Sequence, residues 1–273
     1  MRRFINVYDT GLVNLSASTQ NMPERAAQVL GHVVGMRITL KNVSAAGTLT
    51  TPAAITAAVN VLEVDDSAHS PLFSIAGSDI PILGFVLSPR GTYVSPLTVS
   101  NSDQSQSWVI QFPVAVARQP LYIKGTWNAY SALAASGATG GTAELVIDLM
   151  VDDSPVAQRL GTYRLRKWSA SGIAGDNILQ EKLDTSAQTI GLVANVGADS
   201  NLTWITFYAQ VAPEINQMTP DAFASEDAIY TVSGHQSGIE ILRVSPFIAN
   251  AATYFDVNLA SATTITVYQI ERV

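Results

Sequence analysis

The chain has 273 residues, 47% of them hydrophobic and only 14% charged, against roughly 25% charged in an average soluble domain, so it is not a disordered chain. Lys and Arg total 15 against 22 Asp and Glu, a net charge of −7, which leaves no broad positive field to hold nucleic-acid phosphates by counterion release. The absence of cysteine removes disulfides, thiolate nucleophiles and zinc–thiolate centres.

Arg2 and Arg3 open the chain, and the residues after them alternate apolar and polar instead of forming an apolar block, so the amino end does not read as a secretory signal. No apolar run reaches the roughly 18 to 20 residues that a helix needs to cross a bilayer. Pro23 to Leu30 reads as a short helix with Asn21 as its cap and Pro23 in its first turn. From Val34 to Lys41 the period is two: Val34, Met36, Ile38 and Leu40 fall on one face of a strand. Ile55, Ala57, Val59 and Val61 alternate in the same way, and Trp108 to Val114 is an apolar run in which Pro113 favours a sheet edge or strand end.

Further strands are expected at Leu121 to Thr126, Glu144 to Val151, Thr189 to Val196, Leu202 to Ala209, Ala228 to Val232, Gly238 to Val244, Tyr254 to Leu259 and Thr263 to Glu271, most of them rich in β-branched and aromatic residues. Thr219 to Ser225, with Pro220 behind Thr219, predicts a second short helix. Strands separated by Gly, Pro, Ser, Asn and Asp clusters, with few short helices between them, predict an all-β chain of antiparallel jelly-roll type. The two halves close alike: a strand, a run of small residues, then a final strand. This weak repeat places a boundary in the polar stretch Asp152 to Gly161, giving one half over 1–153 and another over 154–273.

Motifs for chemistry are sparse. His32, His69 and His235 stand alone, without the spacing that puts two imidazoles on one metal, and read as loop or satisfied histidines. Gly234 to Gly238 is not a nucleophile elbow, because a strand follows it where a helix is required. Gly137, Gly140 and Gly141 lie in a lysine-free run and read as a flexible or interface loop. The acidic groups Glu63, Asp65 and Asp66, and Asp148, Asp152 and Asp153, fall at strand ends, where clustered carboxylates can hold calcium or serve simply as solvated turn residues. Two carboxylates also suit a glycosidase, but Trp108, Trp127, Trp168 and Trp204 sit in or beside apolar strand patterns and read as core rather than as a sugar platform. Arg164, Arg166 and Lys167 beside Trp168 read as a charged strand face, with contact to anionic lipid headgroups as the alternative.

The opening Met1, Arg2, Arg3, Phe4, Ile5, Asn6, Val7, the two tandem all-β halves, the basic-aromatic junction from Arg164 to Trp168 and the closing strands around Phe247 to Arg272 together resemble the double jelly-roll major capsid proteins of tailless, membrane-containing icosahedral bacteriophages, the corticovirus type in particular. The resemblance implies two tandem eight-stranded antiparallel jelly rolls and no enzymatic activity. It implies a homotrimer that looks six-sided and tiles a virion shell over an inner lipid membrane, with minor capsid or vertex proteins as further partners and assembly in the host cytoplasm. It implies no cofactor beyond a structural calcium and carries no ligand residue over to this chain; Glu63, Asp65, Asp66, Asp152 and Asp153 are calcium candidates only by their clustering at strand ends, and Arg2 and Arg3 are expected to face the lipid. The low charge agrees, since strands this poor in charge recruit others unless neighbours cover them. Other readings of the same fold class are a carbohydrate- or receptor-binding β-sandwich, such as a viral spike or lectin-like module, and a glycan-cleaving jelly roll.

Overall fold

The computed structural model describes residues 2–45, 55–87, 98–100, 103–116, 118–133, 140–153, 163–179, 183, 185–209, 213–230 and 235–272. The chain divides into two compact units, Met1–Thr162 and Tyr163–Val273. In the first unit the elements are β1 (Arg2–Asp9), β2 (Val13–Leu15), β3 (Gln20–Ala27), β4 (His32–Ala45), β5 (Val59–Asp65), β6 (Pro71–Ala76), helix α1 (Ile80–Val86), β7 (Thr98–Ser100), β8 (Asp103–Val116), β9 (Leu121–Trp127) and β10 (Gly141–Asp152). One sheet runs β1-β10-β4-β8-β7, with β2 added beside β10, and the other runs β3-β9-β5-β6.

The second unit contains β11 (Tyr163–Gly172), β12 (Gly175–Leu179), β13 (Gln188–Asn195), β14 (Leu202–Tyr208), β15 (Pro213–Met218), helix α2 (Pro220–Tyr230), β16 (Ile239–Leu242), β17 (Phe247–Ile248), β18 (Tyr254–Leu259) and β19 (Thr263–Arg272). Its sheets run β11-β19-β13-β16, with β17 added on β13, and β12-β18-β14-β15. With the short β2, β7 and β17 set aside, each unit has eight principal strands in one order: first-eighth-third-sixth in one sheet and second-seventh-fourth-fifth in the other. That is the double Greek key of a jelly roll, made twice. In both units the helix lies in the connection between the fifth and sixth principal strands.

The alternation within single strands explains the two layers. On β10, Leu145, Ile147, Leu149 and Val151 are fully buried, while Glu144, Asp148 and Asp152 fall on the opposite face, where period two puts every second side chain. On β4, Met36, Ile38 and Leu40 are likewise fully buried. In the second unit Leu192, Ile205, Phe207, Phe223, Phe255, Val257, Ile265 and Val267 belong to one buried cluster, and Phe207 stands 4.9 Å from Phe255 and 5.2 Å from Phe247, ring centre to ring centre.

Three local expectations are corrected. Residues Pro23–Ala27 form no helix; they belong to β3, which pairs antiparallel with β9 through Met22↔Gly125, Arg25↔Ile123 and Ala27↔Leu121. The register shift between Met22 and Arg25 absorbs Pro23, which has no N–H to give to a ladder. The expected strand at Ala228 starts instead as the last turn of α2, which continues to Tyr230, and 231–232 lie outside the described residues. Phe223 and Asp227, four residues apart on one helix face, are both fully buried, and that anchoring overrides the β-preference of Ile229 and Tyr230. The alternation from Ile55 to Val61 also fails: the strand starts at Val59, a bulge follows between Val59 and Val61, and Leu62 and Val64 point inward instead. Gly137 and the boundary stretch from Ser154 to Gly161 lie outside the described residues.

Gly77 sits where β6 turns toward α1, and a Cβ there would overlap the carbonyl oxygens of Thr56 and Val59. Backbone cannot retreat as a flexible side chain can, so Gly77→Ala is expected to cost about 1–3 kcal/mol. Chemical denaturation measures it, and a loss below a few tenths of a kcal/mol would show that the turn yields freely.

Candidate functional site

The densest group of ionisable side chains among the described residues lies at one end of the second unit. Asp199 enters it from the turn before β14, Asp227 from α2, His235 and Ser237 from the segment leading to β16, and Glu240 and Arg243 from β16 and the residue just beyond it. The Asp199 carboxylate accepts the Gly238 amide at 2.6 Å, and the Asp199 N–H donates to Ser237 Oγ at 3.1 Å. Gly238 adopts φ +78, a left-handed conformation open to glycine at little cost, and this turn aims its N–H at the carboxylate.

Both imidazole nitrogens of His235 face carboxylates: Nδ1 is 2.8 Å from Asp227 Oδ2, and Nε2 is 3.1 Å from Asp199 Oδ1. Asp227 is fully buried and accepts Arg243 Nη2 at 2.6 Å on its other oxygen, while Arg243 Nη1 donates to Glu226 at 2.9 Å. Partial burial works against the His235 charge, but the hydrogen bonds to Asp227 and Asp199 outweigh it and raise the imidazole pKa above its ordinary value. Asp199 is also penalised by burial, yet the Gly238 amide and His235 hold its carboxyl below the usual range.

Glu240 lies at the inner end of this group. It shares a strand face with Leu242, a member of the core cluster, and it is fully buried. Neither carboxylate oxygen has a hydrogen-bond partner. Burial pushes its pKa up to about 8, with His235 opposing and Asp199 and Asp227 adding to the rise. One ligating atom each from Asp199, His235 and Glu240 can be chosen so that all three lie within 4.8 Å of one another. No described nucleophile stands against the imidazole; the group's evident capacity is to hold a proton or a cation.

The residues singled out from sequence are placed differently. Glu63 and Asp65 converge on Lys124, whose Nζ is 3.3 and 2.8 Å from them; the hydrogen bond to Asp65 is the main reason that the lysine pKa is raised. Asp66 instead accepts the Ala68 and Ser70 amides at 2.8 and 2.9 Å and shapes a turn. Asp152 and Asp153 are held apart on two arginines, Arg2 at 3.3 Å and Arg3 at 3.5 Å. Asp148 meets Arg37 at 2.7 Å and Asn6 at 3.0 Å. Arg164 pairs at 2.6 Å with the fully buried Glu271, so it is more than part of a solvated face, whereas Arg166 and Lys167 are exposed. Trp108 and Trp127 are buried and Trp168 packs against the second core, while Trp204 is half-buried. His69 stacks on Tyr122 with ring centres 4.0 Å apart. A shallow groove of about 420 Å³ runs past Asn21, Glu24, Glu63 and Lys124, and none of the described residues lining it is aromatic.

Sequence reasoning missed the His235 group because its members are spread over 45 positions. The one local signal was a charged residue, Glu240, set inside the otherwise apolar strand Ile239–Leu242.

No protein-family model and no curated protein sequence matches the chain. Solved structures do match over its whole length. The major capsid protein P2 of Bacteriophage PM2 has a TM-score of 0.63 at 9% identity, with 100% of this chain and 97% of that one covered. The major capsid protein of Sulfolobus Turreted Icosahedral Virus has a TM-score of 0.67 at 12% identity, covering 100% and 96%. At such identities the likeness concerns the path of the backbone, and it agrees with the strand order found in each unit: the chain has the all-β, double jelly-roll fold of these viral major capsid proteins.

Proposed function

We propose that the chain is a structural, non-enzymatic major capsid protein. The supporting observation is that two successive units repeat one jelly-roll order, down to the position of the helix, and that the pair matches viral major capsid proteins end to end. In this reading the jelly rolls correspond to 1–153 and 154–273, and three copies form a tile with six similar faces. Rotational symmetry of this kind is the ordinary outcome for like subunits. The tiles line a shell over an internal lipid membrane, joined by minor capsid or vertex proteins, in virions assembled in the host cytoplasm.

The surface supports burial by neighbours. At least seven of the 15 basic side chains are already paired with carboxylates of their own unit. Leu12, Leu30, Ile173, Ile178 and Ile248 are each at least 60% exposed. For Arg2 and Arg3 to meet lipid phosphates, they would have to exchange Asp152 and Asp153 for them.

Light scattering on the purified protein tests the assembly. At micromolar concentration the expected mass is three times that of the 29.0-kDa chain. A monomer under those conditions that also binds glycans would overturn the shell reading in favour of a recognition module.

A further inference from the structure

We propose that Asp199, His235 and Glu240 form a binding site for one divalent transition-metal ion of the zinc class in the second unit. The proposal does not rest on the capsid reading. Its starting point is Glu240, a fully buried carboxyl with both oxygens unpartnered. Burying such a group without a partner is costly, and protonation alone does not remove the cost, because the new O–H would have no acceptor either. A cation held in common with Asp199 and His235 satisfies it.

The donors suit such an ion. His235 Nε2 and Asp199 Oδ1 are 3.1 Å apart, close to the roughly 3.3 Å separating two ligands on a tetrahedral zinc with bonds of about 2.0–2.1 Å. The cation would stand between them, in place of their shared proton. The other imidazole nitrogen is 2.8 Å from Asp227, which Arg243 holds from behind at 2.6 Å. A carboxylate behind a ligating histidine fixes the ring and strengthens it as a ligand. One nitrogen and two carboxylates, with water for the remaining position, match zinc chemistry; calcium prefers six to eight oxygens. The ion would join three parts of the unit: the turn before β14, the approach to β16, and β16 itself.

The test uses full-length protein freed of metal by a chelator, titrated calorimetrically with zinc chloride and separately with calcium chloride. One zinc per chain is expected, with calcium failing to compete at millimolar concentration. Glu240→Gln, which keeps the side-chain shape, should weaken zinc binding by at least about 100-fold, and Asp227→Asn by about 10- to 100-fold, as for residues behind a metal ligand. If Glu240→Gln does not fold, Asp199→Asn carries the same test, since that side chain is 37% exposed. Absence of zinc binding by folded protein, a preference for calcium, or zinc binding unchanged in the folded ligand variants would each overturn the proposal. The oligomeric mass is read separately, so failure here leaves the capsid reading standing, and the reverse.

Discussion

Phe207→Ala is expected to destabilise the protein by about 3–5 kcal/mol, the range for emptying a buried aromatic site. Phe207 lies on β14 with no exposed surface, and its ring touches the rings of Phe247 and Phe255. These side chains come from strands in both sheets of the unit, so the cavity would open between two layers that cannot close over it without shifting their ladders. The loss exceeds simple transfer of the ring to water, because the neighbouring aromatics lose contact as well. Guanidinium denaturation followed by tryptophan fluorescence should show an earlier midpoint for the second unit. A loss under 1 kcal/mol would mean that the cluster is far looser than its burial implies.

The second large effect is on pH dependence in chelator-treated protein. Glu240 rises from 4.5 to about 8 on folding. Between those values the folded chain keeps a proton that the unfolded chain has released, so stability falls as pH rises through this window and levels off above it. His235 acts in the same direction: its pKa is raised, so its contribution is complete below the ordinary imidazole value and is lost as pH climbs through the folded one. Asp199, held low, acts oppositely: its contribution is present above the ordinary aspartate value and is lost as pH falls through the folded one. The loss from Glu240 between pH 5 and pH 9 is on the order of 4 kcal/mol. Urea denaturation at the two pH values measures it, and Glu240→Gln should remove most of the slope. Equal stability at both values, or an unchanged slope in the variant, would refute the assignment.

How legible all this was in the sequence depended on the range of the interactions involved. β4, β10, β14, β18 and β19 could be read directly, because period two is a property of consecutive residues and each strand has a face packed in its unit's core. β3 could not be read, because only Met22 and Ala27 of its eight residues are buried, and its strand character comes from pairing with β9 about a hundred positions away. α1 was hidden in an apolar run with no side-chain cap. The carboxylates grouped by sequence proximity were mostly separated by the fold: Asp152 ends β10 and Asp153 lies just past it, and they face different arginines. The group that did assemble, around His235, draws on four segments and has no signature short enough to be seen.

The pairing of β1 with β10 sets Arg2 opposite Asp152, so the opening strand of the first unit waits for almost the last residue of that unit. During synthesis at about 5–20 residues per second, that delay is roughly 8–30 s. Throughout it the nascent strand offers an unsatisfied edge to any other newborn copy. Two adjacent positive charges at the head of that strand repel their counterparts on a sister chain. On this argument Arg2 and Arg3 would guard the unpaired edge against like copies until Asp152 and Asp153 emerge to neutralise them.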